Sequence, residues 1–129
     1  MEIEIREKEK SVIVVPKGDL LFEGIDTLEM SLRRLREDGR CIMLDLSHTK
    51  YVSAKALGVM VSSVQSFKDK QKRLKFFNVN EYMKKFFDRI GIFKLIEIFD
   101  SEKDAIESLA PNVGIHEKEL LWSKEKFIS

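Results

Sequence analysis

Residues 45–61, DLSHTKYVSAKALGVMV, decide how this chain folds. They begin at the end of a continuous apolar run, CIMLDLS at 41–47, of the kind that marks a strand covered on both faces. A short polar turn follows. From about Ala54 to Lys70, Leu57, Met60, Val61, Val64 and Phe67 then recur at helical spacing. The stretch therefore reads as buried strand, turn and helix, and at the turn it presents a hydroxyl, Ser53, beside free backbone N–H groups.

Working outward, EIEIREK at 2–8 alternates charged and apolar residues, which predicts a half-buried edge strand with Ile3 and Ile5 on one face. SVIVVPKG at 11–18 is a β-branched run ended by Pro16 and Gly18, a more central strand. Glu9 and Lys10 can turn between the two, making them antiparallel neighbours. From Phe22 to Glu37 the period becomes helical through Ile25, Leu28, Leu32 and Leu35, with Gly39 as the expected stop.

Beyond the second helix, RLKFFNV at 73–79 predicts a strand. EYMKKFFDRIG at 81–91 predicts a short helix with Met83, Phe86, Phe87 and Ile90 inward and Gly91 as its stop. KLIEIF at 94–99 reads as a last strand, and the helix after it opens with a capping box, Ser101 to Asp104.

The order ββαβαβαβα predicts a single α/β domain over residues 1–110. Its sheet is mixed, mostly parallel after an N-terminal hairpin, with right-handed crossovers and four helices. Pro111 breaks the pattern and opens a C-terminal extension, 111–129. Leu120, Leu121, Trp122, Phe127 and Ile128 make it too apolar for a solvated tail. It either rests on the domain or binds a partner, or a second copy, through Trp122.

Composition narrows the function classes. At 129 residues the chain can bury one core, and 43% apolar with 35% charged residues is globular. A net charge of +1 provides no field for nucleic acid or anionic membrane, and no apolar run is long enough to span a bilayer. The single Cys41 excludes an internal disulfide and fits a reducing cytoplasm. Few Gln and Asn beside abundant Lys and Glu is a composition met in hyperthermophile proteins.

No phosphate loop, dinucleotide fingerprint or nucleophile elbow occurs. His48 and His116 are the only histidines, and neither has metal-ligand spacing with Cys41 or a carboxylate cluster, so no metal and no cofactor is expected. Ser47 and His48 are neighbours in sequence, but adjacent strand-end residues point to opposite sides, so one does not deprotonate the other. Asp19 and Asp45 fall near one sheet edge without an acid–base partner and read as turn or capping residues. No enzymatic activity is expected. The basic pairs Arg33-Arg34 and Lys84-Lys85 alternate with acids and read as solvated faces, not nucleic-acid contacts.

Over residues 2–109 the chain resembles the STAS domain family of bacterial anti-sigma factor antagonists. VVPKGDLLFEG resembles the family's strand ending in Gly-Glu-Leu-Asp. LDLSHTKYVSAKALGVMV resembles its strand-turn-helix segment, which carries Asp-Ser-Ser/Thr-Gly-Leu-Gly, and FFNVNEYMKKFFDRIGIFKLIEIFDSEKDAI resembles its closing segment. The resemblance implies a protein that binds an anti-sigma factor, often a serine kinase, and so frees a sigma factor for transcription. The kinase phosphorylates a Ser or Thr at the start of the second helix, and the partner dissociates.

Two departures stand out. With Leu57 and Gly58 on the family's Leu-Gly, Ser53 takes the Asp position, Ala54 the phosphorylated Ser, Lys55 the next Ser/Thr and Ala56 the Gly. Alanine has no hydroxyl to phosphorylate. Leu21 stands where the first motif has its acid, although Asp19 keeps an acid two residues earlier. Ser53 is then either a helix N-cap or a phosphoacceptor displaced by one position. The site as a whole can be a permanently unphosphorylated antagonist with Lys55 docking on an acidic partner.

The expected surface combines the 47–53 turn, including Ser47 and Thr49, with the first turns of the second helix and the 19–24 loop around Asp19. Two other readings stay open: an accessory subunit of a transport or signalling ATPase assembly, and a module binding a small ligand such as a nucleotide or lipid.

Overall fold

The computed structural model describes residues 1–109. The expected extension, with His116 and Trp122, lies outside them. β1 (Ile3–Glu7) and β2 (Ser11–Pro16) form the antiparallel hairpin, closed by the Lys8 N–H donating to the Ser11 carbonyl at 2.8 Å, with Glu9 and Lys10 at its tip. Three βα units follow: α1 (Glu23–Leu35), β3 (Cys41–Asp45), α2 (Ala54–Asp69), β4 (Leu74–Phe77), α3 (Glu81–Arg89) and β5 (Glu97–Phe99). The sheet runs β1-β2-β3-β4-β5, with β2 to β5 all parallel. A last helix, α4 (Glu102–Glu107), ends the described chain.

Sequential parallel neighbours with crossovers of one hand place every crossover helix on the same face. Accordingly α1, α2 and α3 cover one face, where Leu28, Leu32, Met60, Phe67, Met83 and Phe87 pack on Val12, Val14, Ile42, Leu44 and Phe76. α4 follows the last strand, is free of that constraint, and packs on the other face, where Ala105 meets Ile13, Val15, Met43 and Phe77. Each buried Leu or Phe of these layers contributes about 1.5–3 kcal/mol relative to exposure.

Four local expectations are corrected. Gly39 does not end α1 by a left-handed residue: α1 finishes at Leu35, and Asp38 makes the following turn by accepting from the Arg40 N–H at 2.9 Å. Gly91 does supply the left-handed stop after α3, at φ 72°. Ile90, expected inward, is exposed, because α3 ends at Arg89 and the next residue turns away from the core. The last strand is shorter than KLIEIF. Ile92–Lys94 form a 3-10 turn that buries Ile92 and Ile96 but leaves Leu95 outside. Ile5 is also more exposed than its alternation suggested, since β1 is an edge strand whose first-face residues are only partly covered.

Candidate functional site

The C-terminal ends of the parallel strands all open at one edge of the sheet, where ligands and partners of such folds generally meet the chain. Two loops form the centre of this edge here, 17–22 after β2 and 46–53 after β3. They are stitched together by backbone: the Leu20 N–H donates to the Tyr51 carbonyl (3.1 Å) and the Ser53 N–H to the Leu20 carbonyl (2.9 Å), a one-residue parallel bridge between Leu20 and Val52.

Side chains complete the seam. Asp19 Oδ1 accepts from the N–H groups of Lys50 (2.7 Å) and Tyr51 (3.2 Å). Thr49 is buried and donates its hydroxyl to the Gly18 carbonyl at 2.8 Å. On the far side, Asn80 caps α3 by accepting from the Met83 N–H at 2.8 Å, and its amide donates to the Lys50 carbonyl at 3.2 Å. One residue thus starts a helix and braces the central loop. Asp45, buried at the end of β3, accepts from the Ser47 N–H (2.9 Å) and from the amide of Asn78 (3.1 Å). Asn78 sits in the left-handed region at φ 59°, which its short polar side chain tolerates.

Ser53 is the N-cap of α2. Its Oγ accepts from the Ala56 N–H at 3.1 Å, and its carbonyl takes the first helical bond from Leu57. Ser53 is half-buried, while Ala54 behind it is exposed. The residues expected at the site divide by burial. Ser47, Ala54, Lys55 and Gly58 face solvent, Asp19 and Ser53 are half-buried, and Thr49, Ala56 and Leu57 lie underneath. Lys55 Nζ stands 3.9 Å from Asp26 Oδ1, so the first turns of α1 and α2 lie side by side.

Sequence reasoning missed an apolar rim around these residues. Phe22 is 83% exposed and occupies the N-cap of α1 without making any cap bond. An Asp, Ser or Asn there would stabilise the helix by about 1 kcal/mol. Tyr51 and Tyr82, both exposed, meet edge-to-face with centroids 5.4 Å apart, and Leu21 is exposed as well. The available signal was an aromatic at a cap position and another in the first turn of α3. Neither breaks helical periodicity, so a search for periodicity passes over both.

His48 points back toward β2, its Nε2 3.5 Å from Lys17 Nζ, and Lys17 pairs with Glu4 at 2.8 Å. That hydrogen bond from Lys17 holds the Glu4 carboxyl below its usual range. Ser47 and His48 form no hydrogen bond with each other among the described residues. Cys41 lies at the opposite end of β3, its thiol pushed up by burial. No group of three His, Cys, Asp or Glu residues among the described ones is placed to hold a metal, and no described helix is long and apolar enough to cross a membrane.

Comparison with known proteins agrees with this architecture. A family model described as STAS domain matches residues 2–105. The anti-sigma F factor antagonist of Paenibacillus polymyxa is 24% identical over 111 residues, which cover 84% of this chain and 95% of that protein. A candidate anti-sigma factor antagonist from Thermotoga maritima superposes with a TM-score of 0.76 at 19% identity, covering 83% of this chain and 93% of the other. The Bacillus cell fate determinant SpoIIAA in its phosphorylated form superposes with a TM-score of 0.64 at 12% identity, covering 84% of this chain and all (100%) of that one. The mixed five-stranded sheet, the seam at the start of its second helix and the family match over residues 2–105 lead to one assignment: the chain belongs to the STAS domain family.

Proposed function

We propose that this chain is a non-enzymatic docking protein that binds an anti-sigma factor and thereby frees a sigma factor for transcription. The observation that carries this reading is the composition of the exposed rim. Leu21 and Phe22 on the 17–22 loop, Tyr51 on the 46–53 loop and Tyr82 in the first turn of α3 offer exposed apolar area at the sheet edge where α2 begins, on a frame held by internal hydrogen bonds. Aromatic side chains on a rigid frame are the anchors that carry most binding energy in protein interfaces.

The surface works without a phosphate switch at Ala54. A phosphoryl group would add about −1.5 to −2 charges to a partner-facing surface, where a packed partner would have to desolvate it. With a methyl group at position 54 that charge is never placed there. The Ser53 hydroxyl oxygen is committed to the Ala56 N–H and helps start the helix. Lys50 and Lys55 bring positive charge to the rim beside Glu23 and Asp26 of α1, and Lys50 is the cation there offered to an acidic partner group. Partner abundance, not covalent modification, then sets occupancy in the cytoplasm.

Co-elution with anti-sigma factors of the same genome on size exclusion tests the reading. One of them is expected to bind the chain and to release its sigma factor, and Phe22→Asp is expected to abolish both effects without lowering Tm, since an Asp at this N-cap position favours α1. Absence of binding to every anti-sigma factor sinks the proposal. Capture of a transport or signalling ATPase instead would assign the accessory-subunit role, and a ligand-dependent rise in Tm would assign a small-molecule module.

A further inference from the structure

The second face of the sheet is covered far less than the first. Among the described residues, only the six-residue α4 crosses it. Where α4 ends, a groove of about 450 Å³ opens between its last turn and the β1–β2 turn. Ile106, Leu109 and the chains of Lys8 and Lys10 wall it, with Ser11 among the lining residues. Ser11 is 1% exposed, yet its Oγ has no hydrogen-bond partner among the described residues. A buried hydroxyl left in that state is unfavourable, so among the described residues the groove has an unsatisfied polar position as well as an uncovered apolar wall.

We propose that Leu120, Leu121 and Trp122 of this same chain fold back into that groove and complete the cover of the second face. Leu109 both lines the groove and is the last described residue, so the chain continues from the groove itself. The residues between Leu109 and Leu120 span about 35 Å when extended, at about 3.3 Å each, which is ample for a return. Pro111 and Gly114 are turn formers within that stretch. Covalent attachment gives the segment an effective concentration in the millimolar range, so a modest apolar contact suffices.

Charge does not oppose the return: Lys8, Glu9, Lys10 and Glu107 line the groove, and Glu117, Lys118 and Glu119 precede the apolar triplet, so both sides carry charges of both signs. The groove lies at the hairpin-turn end of the sheet, remote from the α2 N-terminus, so the proposal stands apart from the docking function.

Trp122 is the only tryptophan, so intrinsic fluorescence of the full chain reports on it alone. Its emission is expected to be blue-shifted from that of the same chain in concentrated urea, with acrylamide quenching several-fold weaker, and neither should change on dilution. Ile106→Glu in the groove should return both to urea-like values. Leu121→Asp in the tail should do the same, with far-UV circular dichroism and a cooperative melt preserved, which separates loss of docking from loss of fold. Native emission equal to that in urea overturns the proposal, as does a blue shift that survives either variant in a folded chain. Protection lost on dilution together with dissociation of a dimer also overturns it, since a second copy would then be the occupant.

Discussion

At the end of the sheet that carries the β1–β2 turn, charge is met by charge. Arg40 binds Asp38 and Glu7, both at 2.9 Å, Lys70 binds Glu37 at 2.9 Å, and Arg73 binds Glu97 at 3.0 Å. At the opposite end, where the loops 17–22 and 46–53 meet, ion pairs such as Lys17 with Glu4 at 2.8 Å flank a seam in which backbone and short polar side chains satisfy one another. There it is Phe22, Tyr51 and Tyr82 that face water. Exposed ion pairs contribute little each to stability but keep a surface soluble and weakly adhesive. Internally satisfied loops with aromatics outward are rigid and adhesive. On the proposed docking role the two ends have separate tasks, and mutations at each should change different quantities.

The largest expected effect is on binding. Phe22→Ala and Tyr51→Ala should each weaken partner affinity by tenfold or more, about 1.4 kcal/mol upward, while moving stability by less than about 0.5 kcal/mol. Titration calorimetry and thermal melts on the same variants check this. Equal losses in both would mean that the rim is structural.

Next comes the seam beneath the rim. Thr49→Val removes the only bond described for the buried Thr49 hydroxyl and leaves the Gly18 carbonyl short of a donor, at a cost of about 1–3 kcal/mol in urea unfolding. Ser53→Ala should cost about 1 kcal/mol through lost capping, with partner binding retained. Loss of binding without loss of stability in that variant would make Ser53 a contact residue.

Gly58 sharpens the boundary of the docking surface. A Cβ there would meet nothing within 4 Å, so Gly58→Ala should stabilise the helix by about 0.5–1 kcal/mol. The same methyl group should reduce partner affinity if the surface extends one turn beyond Ala54.

The smallest effect belongs to the charged end. Hydrogen bonds from the Arg40 side chain and N–H lower the Asp38 pKa from 3.8 to about 2. A depressed folded pKa means that this contribution is complete above pH 3.8 and is lost as pH falls toward about 2. Glu102, held down by its hydrogen bonds with Arg6, loses its contribution in the same direction. Urea unfolding of Asp38→Asn across this range should therefore show a shallower acid loss than the parent chain, with partner affinity unchanged.

Most of the architecture was legible because it rests on periodicity. Runs such as 12–15, 41–46 and 74–77 fixed strands, and the helical spacing at 57, 60, 64 and 67 fixed α2. The errors sit where periodicity is ambiguous. Ile92, Leu95 and Ile96 suit a strand or a 3-10 turn, and only packing behind Gly91 selects the turn. At the site, Ser53 and Ala54 could be located from the motif, but the partners of Asp19, Thr49 and Asn80 could not. Their bonds join segments about thirty residues apart, which no local pattern encodes. Phe22 could be seen in the sequence, but its exposure depends on α1 beginning one residue later than its apolar pattern suggests.

The proposed docking surface binds its partner with no phosphate switch at position 54. Intact mass and binding should be measured together after incubation with the partner anti-sigma kinase and ATP, for the parent chain and for Ala54→Ser. The parent chain should gain no phosphate and stay bound, whereas Ala54→Ser should gain one phosphate and be released. A phosphate on Ser53 of the parent chain with loss of the complex would contradict it.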